Sequence, residues 1–297
     1  LPVLCIGNFT VGGAGKTPLA LLVAQLVADE GRAPWFLSRG YGGRLPGPIQ
    51  VEPGVHGSAD VGDEPLLLAR AAPTVISRDR AKGAQFIETA APSNAVIIMD
   101  DGLQNPSLAK DLVIAVVSGD RGLGNGHVIP AGPLRAPLAS QIGLANVIVV
   151  TGQTNAAHGA VRETLRKLTQ APLLSATTRA SEDAASLRGR RVVAYAGIAN
   201  PERFFAMLEG LGATIVERRA FGDHHAFSDS EARELVDTAR RMSADLVTTE
   251  KDLARLSGAS GASAELRDRS RVLKIETVIE SVDLAILKQK IREAIRT

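Results

Sequence analysis

The sequence predicts an α/β protein: a mostly parallel sheet flanked by helices, with a second, smaller α/β domain after it. Three observations carry this reading. Short apolar runs of strand length alternate with longer helical patterns, which is the rhythm of parallel sheets. The first run opens into a glycine-rich turn, a Lys-Thr pair and a helix. Beyond a short polar stretch at 181–189, a plausible linker, the alternation starts again. A chain of 297 residues can bury one large core or two modest ones.

Composition excludes several classes. With 45% hydrophobic and 22% charged residues the chain is globular, not disordered. A net charge of +2, from 34 basic and 32 acidic residues, gives no electrostatic case for a nucleic-acid partner. The single cysteine, Cys5, lies in the first apolar run and cannot form an internal disulfide, which fits a reducing compartment. The longest apolar runs, 112–117 and 147–150, are strand-sized and far short of the ~18 residues that span a bilayer. The text begins Leu1-Pro2, without methionine and almost inside the first strand, so residues upstream are expected.

Residues 3–6 read as a buried strand and 19–28 as a helix. Between them, Thr10-Val11-Gly12-Gly13-Ala14-Gly15-Lys16-Thr17 sits in the context that a phosphate-binding loop requires, which makes the first domain P-loop NTPase-type. Glycines let successive backbone N–H groups converge on one oxyanion. The helix start adds unpaired N–H groups and partial positive charge. Lys16 is expected on the β- and γ-phosphates, and the Thr17 hydroxyl on Mg²⁺. Thr10 stands where the first glycine of the common pattern would be. Gly12, Gly13, Gly15, Lys16 and Thr17 resemble the variant loop of partitioning and metal-insertion ATPases, whose extra lysine is replaced here by Val11.

A second strand, 33–38, ends in Arg39-Gly40-Tyr41-Gly42-Gly43-Arg44. Ligands of open α/β sheets bind at carboxyl ends of strands. Arg39 and Arg44 could hold an anion there and Tyr41 could stack on a sugar; a solvated turn is the competing reading. Asp63 precedes a Pro-started helix, where an N-cap is the bland reading. The third strand, 74–77, leads to Arg78, Arg80 and Lys82, either an anion site or ordinary surface charge.

The apolar strand 95–99 runs into Asp100-Asp101-Gly102-Leu103-Gln104. An acid at a strand end downstream of a phosphate loop completes a nucleotide site, holding the metal directly or through its water. Adjacent aspartates on a strand face opposite sides, so one faces Mg²⁺ unless the strand has already turned. Strands 111–118 and 146–151 flank a proline-rich loop, 129–137, whose cation Arg135 could reach a phosphoryl group. A helix at 156–168 closes this half.

In the second half, strands 190–197, 213–216 and 246–249 alternate with helices 201–211 and 230–242, the latter capped by Ser228 or Asp229. Residues 258–263 read as a glycine/serine surface loop, and 283–295 as an amphipathic helix packing back on the first domain. Between these elements lies Phe221-Gly222-Asp223-His224-His225. Adjacent histidines share one ion poorly, so a His–carboxylate pair is the better functional reading, against a loop histidine satisfied by backbone.

Taken together, Gly7-Asn8 with the 10–17 loop, Ser38-Arg39-Gly40-Tyr41-Gly42, Val61-Gly62-Asp63-Glu64-Pro65, Asp100-Asp101-Gly102-Leu103-Gln104, Pro130-Ala131-Gly132-Pro133-Leu134-Arg135 and Phe221-x-Asp223-His224-His225 resemble the tetraacyldisaccharide 4′-kinases of lipid A biosynthesis. The resemblance covers nearly the whole chain and implies transfer of the γ-phosphoryl of ATP to the 4′-hydroxyl of a tetraacylated glucosamine disaccharide 1-phosphate. It implies Lys16 and Thr17 on phosphate and Mg²⁺, Asp63 as base, His224 paired to it, and Asp100 and Asp101 near the metal. Arg39, Tyr41, Arg78, Gln104 and Arg135 fall to substrate or phosphate binding. Residues 1–180 become a P-loop kinase domain, joined by a C-terminal helix at about 280–297, and 190–275 a lid closing over ATP. The family also carries a hydrophobic N-terminal helix that docks on the cytosolic face of the inner membrane; this text contains none. The expected protein is a peripheral monomer with a glycolipid substrate and no nucleic acid. The rival is a regulatory P-loop ATPase or GTPase of the partitioning type, against which Val11 and the Asp63/His224 pair speak.

Overall fold

Val3, Leu4, Cys5 and Ile6 are all buried, because their strand has neighbours on both sides and helices on both faces. The computed structural model describes residues 1–296 and contains two sheets. In chain order the elements are β1 (Val3–Asn8), α1 (Lys16–Asp29), β2 (Ala33–Ser38), β3 (Ile49–Gln50), α2 (Ser58–Val61), α3 (Asp63–Leu68), β4 (Thr74–Ile76), α4 (Arg80–Ala90), β5 (Ala95–Asp100) and β6 (Leu112–Ser118). They continue with α5 (Leu138–Gln141), β7 (Val147–Thr151), α6 (Ala156–Arg166), β8 (Leu173–Ala180), β9 (Arg191–Ala196), α7 (Pro201–Gly210), β10 (Thr214–Ala220) and α8 (Asp229–Arg241). The chain ends with β11 (Asp245–Thr249), α9 (Glu250–Arg255), α10 (Gly261–Arg269), β12 (Ser270–Leu273), β13 (Ile275–Ile279) and α11 (Ser281–Ile295).

The larger sheet has nine strands in the order β13-β8-β7-β6-β1-β5-β2-β4-β3. All its pairs are parallel except β13 with β8 and β3 with β4. β1 is central, with β5 and β6 as neighbours. Alternation along β1 feeds two cores. Leu4 and Ile6 pack with Leu19, Val23 and Val27 of α1 and with Leu287 and Ile291 of α11. Val3 and Cys5 pack on the opposite face with Ile87 of α4 and Leu165 of α6. Truncating a side chain as enclosed as Leu19 costs about 2–5 kcal/mol. The last helix therefore closes the first core, and Thr297 lies outside the described residues.

The smaller sheet is parallel, in the order β10-β9-β11-β12. Its two faces carry separate cores, one around Phe204 and Phe205, the other around Tyr195 and Leu235. The structure adds strands and a helix that the sequence reading lacked. β8 and β13 extend the larger sheet, so the chain returns to it one strand before α11. Their partly exposed, polar-rich pattern masked them as strands. The expected loop at 258–263 contains the start of α10, where Ser263 is 7% exposed and bonded to Asp229 of α8. A short helix next to serine and glycine has little periodicity to betray it.

The two sheets meet through α9. Its Ala254 joins a small core with Val61 of α2, Leu66 and Leu67 of α3, and Ile76 of β4. Around that core Ser58 Oγ donates to the Arg255 carbonyl at 2.9 Å and Lys251 Nζ to Glu64 at 2.6 Å.

Candidate active site

The loop after β1 turns into α1 through Gly15, whose φ of 85° is left-handed and suits glycine. Gly15 is the N-cap and no side chain caps this helix end, so its first amides face the loop's interior unmasked. Neighbouring elements fix the loop. Thr151, the last residue of β7, donates to the Ala14 carbonyl at 2.8 Å, and Val11 N–H donates to the Pro133 carbonyl at 2.8 Å. Arg135 from the proline-rich loop donates to the Thr10 carbonyl at 3.3 Å.

β5 ends beside this loop, with Asp100 aligned to Ile6 of β1. Asp100 is 2% exposed and its Oδ2 accepts from Ser38 at 3.3 Å. Asp101 has already left the strand, at a φ of 52°. That turn is why the two aspartates are not split across the sheet. Asp101 lies 3.7 Å from Lys16 Nζ and accepts from Arg135 at 3.0 Å. Burial, then the charges of Glu64 and Asp101, push the Asp100 carboxyl up; Lys16 and Arg80 oppose this. Asn8 Oδ1, Asp100 Oδ1 and Asp101 Oδ1 have no hydrogen-bond partner among the described residues. Buried hard oxygens without a hydrogen-bond donor, such as those of Asn8 and Asp100, with Asp101 Oδ1 held only by the Lys16 ion pair and Thr17 5% exposed next to Lys16, could hold a hard divalent cation.

Asp63 does not cap its helix. Gly62 is the N-cap, and Asp63 is the first helical residue, 6% exposed. Its Oδ1 accepts from Glu64 N–H at 2.9 Å. Its Oδ2 meets two side chains of the smaller unit: Arg255, at 2.8 Å from Nε and 2.7 Å from Nη2, and His224 Nδ1, at 3.2 Å. Burial alone would raise this carboxyl, but the His224 hydrogen bond and the charges of Arg255 and Lys251 outweigh it and hold it far below the usual carboxylate range. His224 moves the opposite way, raised chiefly by the Asp63 hydrogen bond against the effect of burial. The tandem histidines divide: His224 sits at a φ of 58° and turns to Asp63, while His225 accepts a place 3.1 Å from Glu231 and stacks on Phe221. No cluster of three metal-ligating His, Cys, Asp or Glu occurs among the described residues.

The remaining sequence-predicted residues separate. Tyr41 is 71% exposed and edge-on to the His224 ring, 5.9 Å between centroids. Arg39 and Arg78 are both exposed, Arg78 reaching the Gly43 carbonyl at 3.4 Å. Gln104 turns inward, donating at 2.8 Å to both the Asn8 carbonyl and Gln141 Oε1. Of the three clustered cations it is Arg80 that is buried, donating to the Ser77 and Asp100 carbonyls. Sequence reading passed over Arg255, Lys251 and Asp252; on paper they form an ordinary charged helix start. A cleft of about 540 Å³ opens beside the loop between the two units, lined by Thr10, Val11 and Gly12 on one side and Ala199 and Asp223 on the other. Arg121 bridges it, donating to the Ala199 carbonyl at 3.3 Å.

Comparison with known proteins bears on this geometry. The family model described as Tetraacyldisaccharide-1-P 4'-kinase, LpxK, matches residues 1–296. The chain belongs to this family. A tetraacyldisaccharide 4'-kinase of Methylobacterium radiotolerans is 51% identical over 294 residues, spanning 99% of this chain and 86% of the relative. One of Rhodopseudomonas palustris is 50% identical over 265 residues, spanning 88% of this chain and 76% of the relative. The crystal structure of LpxK from Aquifex aeolicus in complex with ATP superposes with a TM-score of 0.77 at 27% identity, covering 99% of this chain and 89% of that one. The LpxK fold therefore extends over both sheets.

Proposed function

We propose that this chain transfers the γ-phosphoryl group of ATP to the 4′-hydroxyl of a tetraacylated glucosamine disaccharide 1-phosphate. The observation that carries the reading is the nearness of two charged sets, Lys16 with Asp101 at the phosphate loop and Asp63 with His224 at α3, close enough that the charge of Glu64, next to Asp63, acts on Asp100.

The loop amides and Lys16 bind the triphosphate and offset charge on its bridging oxygen, and Arg135 adds a second cation beside Asp101. Thr17, Asp100 and Asp101 would hold Mg²⁺, which when bound neutralises phosphate charge. Asp63 orients the acceptor hydroxyl. As the new bond from the sugar oxygen to the γ-phosphorus forms and the bond to the β-phosphate oxygen breaks, the hydroxyl proton passes to the Asp63 carboxylate. A positioned base of this kind is worth ~10²–10⁴ in rate. In a loose transition state the nucleophile is deprotonated late, so an acidic carboxylate suffices. His224 keeps Asp63 ionised, and Tyr41, Arg39 and Arg78 offer the sugar and its phosphate a rim. Gln104 ties the end of β1 to Gln141, which steadies the loop from behind.

Residues 1–180 with the C-terminal segment then form the kinase body, and the smaller sheet is a lid that brings His224 to Asp63. No helix among the described residues is long and apolar enough to cross a membrane. The glycolipid acceptor argues for work as a peripheral monomer at the cytosolic face of the inner membrane. Incubation with γ-labelled ATP, Mg²⁺ and the glycolipid acceptor tests the reading. Label is expected in lipid, and Asp63→Asn should lower its appearance by at least about 10²-fold. Label found only in free phosphate would favour a regulatory ATPase.

A further inference from the structure

Arg255, which the sequence reading passed over, ties Asp63 to the interior of the smaller unit. Its side chain is 6% exposed and lies at the end of α9. Nε and Nη2 face Asp63 Oδ2, while Nη1 donates to Asp252 Oδ1 at 2.6 Å and to the Gly197 carbonyl. Asp252 is completely buried and fixed in turn. It accepts from Gly197 N–H at 3.0 Å and from Thr249 Oγ1 at 2.6 Å. The Gly197 carbonyl also accepts from His224 N–H at 3.2 Å. The end of β9, the start of α9 and the His224 turn are thus locked together, and two of them reach Asp63.

Building on the reading of Asp63 as the acceptor-side base, we propose that Arg255 is a positioning residue for that carboxylate: anchored by Asp252 and Gly197, it holds Asp63 oriented and ionised when the smaller unit is docked. A planar guanidinium serves two partners at fixed angles, which an ammonium cannot. The groups facing Asp63 are Glu64 from its own helix, Lys251, Asp252 and Arg255 from α9, and His224 from the turn, with Asp223 on the far side of the imidazole. Among them Arg255 supplies the buried cation, and Asp63 sits where burial favours the neutral acid. Undocking the smaller unit removes Arg255 and His224 together, so the base is assembled only in the docked state.

The test compares Arg255→Met, Arg255→Lys and Asp63→Asn with the unaltered enzyme, measuring kcat, KM for ATP and kcat against pH. Arg255→Met should leave KM for ATP unchanged and move the acid limb of kcat up by about one to three pH units, so that its deficit shrinks as pH rises. Arg255→Lys should keep the acid limb low yet lose roughly tenfold in kcat, because one ammonium cannot hold Asp63 and Asp252 together. A deficit of equal size at every pH in Arg255→Met would overturn the proposal, as would full activity with the original limb. If Arg255→Met does not fold, full kcat in Arg255→Lys overturns it alone. Wild-type turnover in Asp63→Asn would instead sink the base reading, and the Arg255 proposal with it.

Discussion

His224 and Asp63 illustrate how two ordinary side chains acquire unlike properties from one contact. The imidazole gains a carboxylate partner at 3.2 Å and its pKa rises; the carboxylate gains two cationic partners and its pKa falls. A raised histidine stabilises the fold in full below its unfolded value of ~6.5, and this contribution is lost as pH climbs through the raised folded value. The depressed aspartate works the other way, stabilising above its unfolded ~3.9 and failing only as pH falls towards its folded value. Thermal melts of wild type and His224→Gln should therefore differ most below about pH 6.5 and converge as pH rises past the raised folded value. A gap that widens with pH would contradict the assigned pair. The motif around His224 was legible in the sequence, and the family resemblance pointed to its pairing with Asp63, but the place of His225 beside Glu231 was not. That depends on the positive φ of His224, which no pattern announces.

At the scale of elements, the start of α3 decides where Asp63 points. Gly62 adopts a φ of 91°, and a Cβ there would lie 2.3 Å from the Tyr41 carbonyl. Gly62→Ala should thus cost about 1–3 kcal/mol, read as a lower urea midpoint, and should also reduce turnover by displacing Asp63. Retained stability and turnover would mean that the 39–44 loop yields freely. The sequence presented Asp63 as an N-cap candidate because the Asp-x-Pro spacing fits a helix start; the cap is the glycine before it. β5 gives the converse case. Its apolar run and acidic end were plain, yet whether both aspartates could serve one site turned on where the strand stops. Asp101 leaves it at a φ of 52°, and both carboxylates stay near the loop.

Over the whole molecule, function depends on how α9 docks on α2 and α3. The contact combines a small apolar core with the Lys251–Glu64 pair, whose side chains are 29% and 24% exposed. Glu64→Gln leaves the Lys251 ammonium half-enclosed without its counter-charge, which is costlier than exposing both. Hydrogen exchange should then accelerate in α9 and around Gly197, while the amides of β1 and β5 stay protected. Uniform acceleration across both sheets would instead indicate one cooperative unit. The sequence foretold two α/β patterns and a returning last helix; it missed β8 and β13, whose half-polar strands lie towards one edge of the larger sheet.

By itself the sequence determined the glycine-rich turn into the first helix, the central strands beside it and the acids at the end of β5. Each of these is written in adjacent residues, where glycine spacing, apolar runs and charge carry the signal directly. Only the tertiary structure brought Arg255 to Asp63 beside the expected His224. Arg255 stands 192 residues further along the chain, at the end of a short charged helix that looks like solvated surface, and it becomes a partner of the carboxylate because α9 packs against α2 and α3. Such a contact is fixed by long-range packing and by the burial that comes with it, and no local periodicity records either.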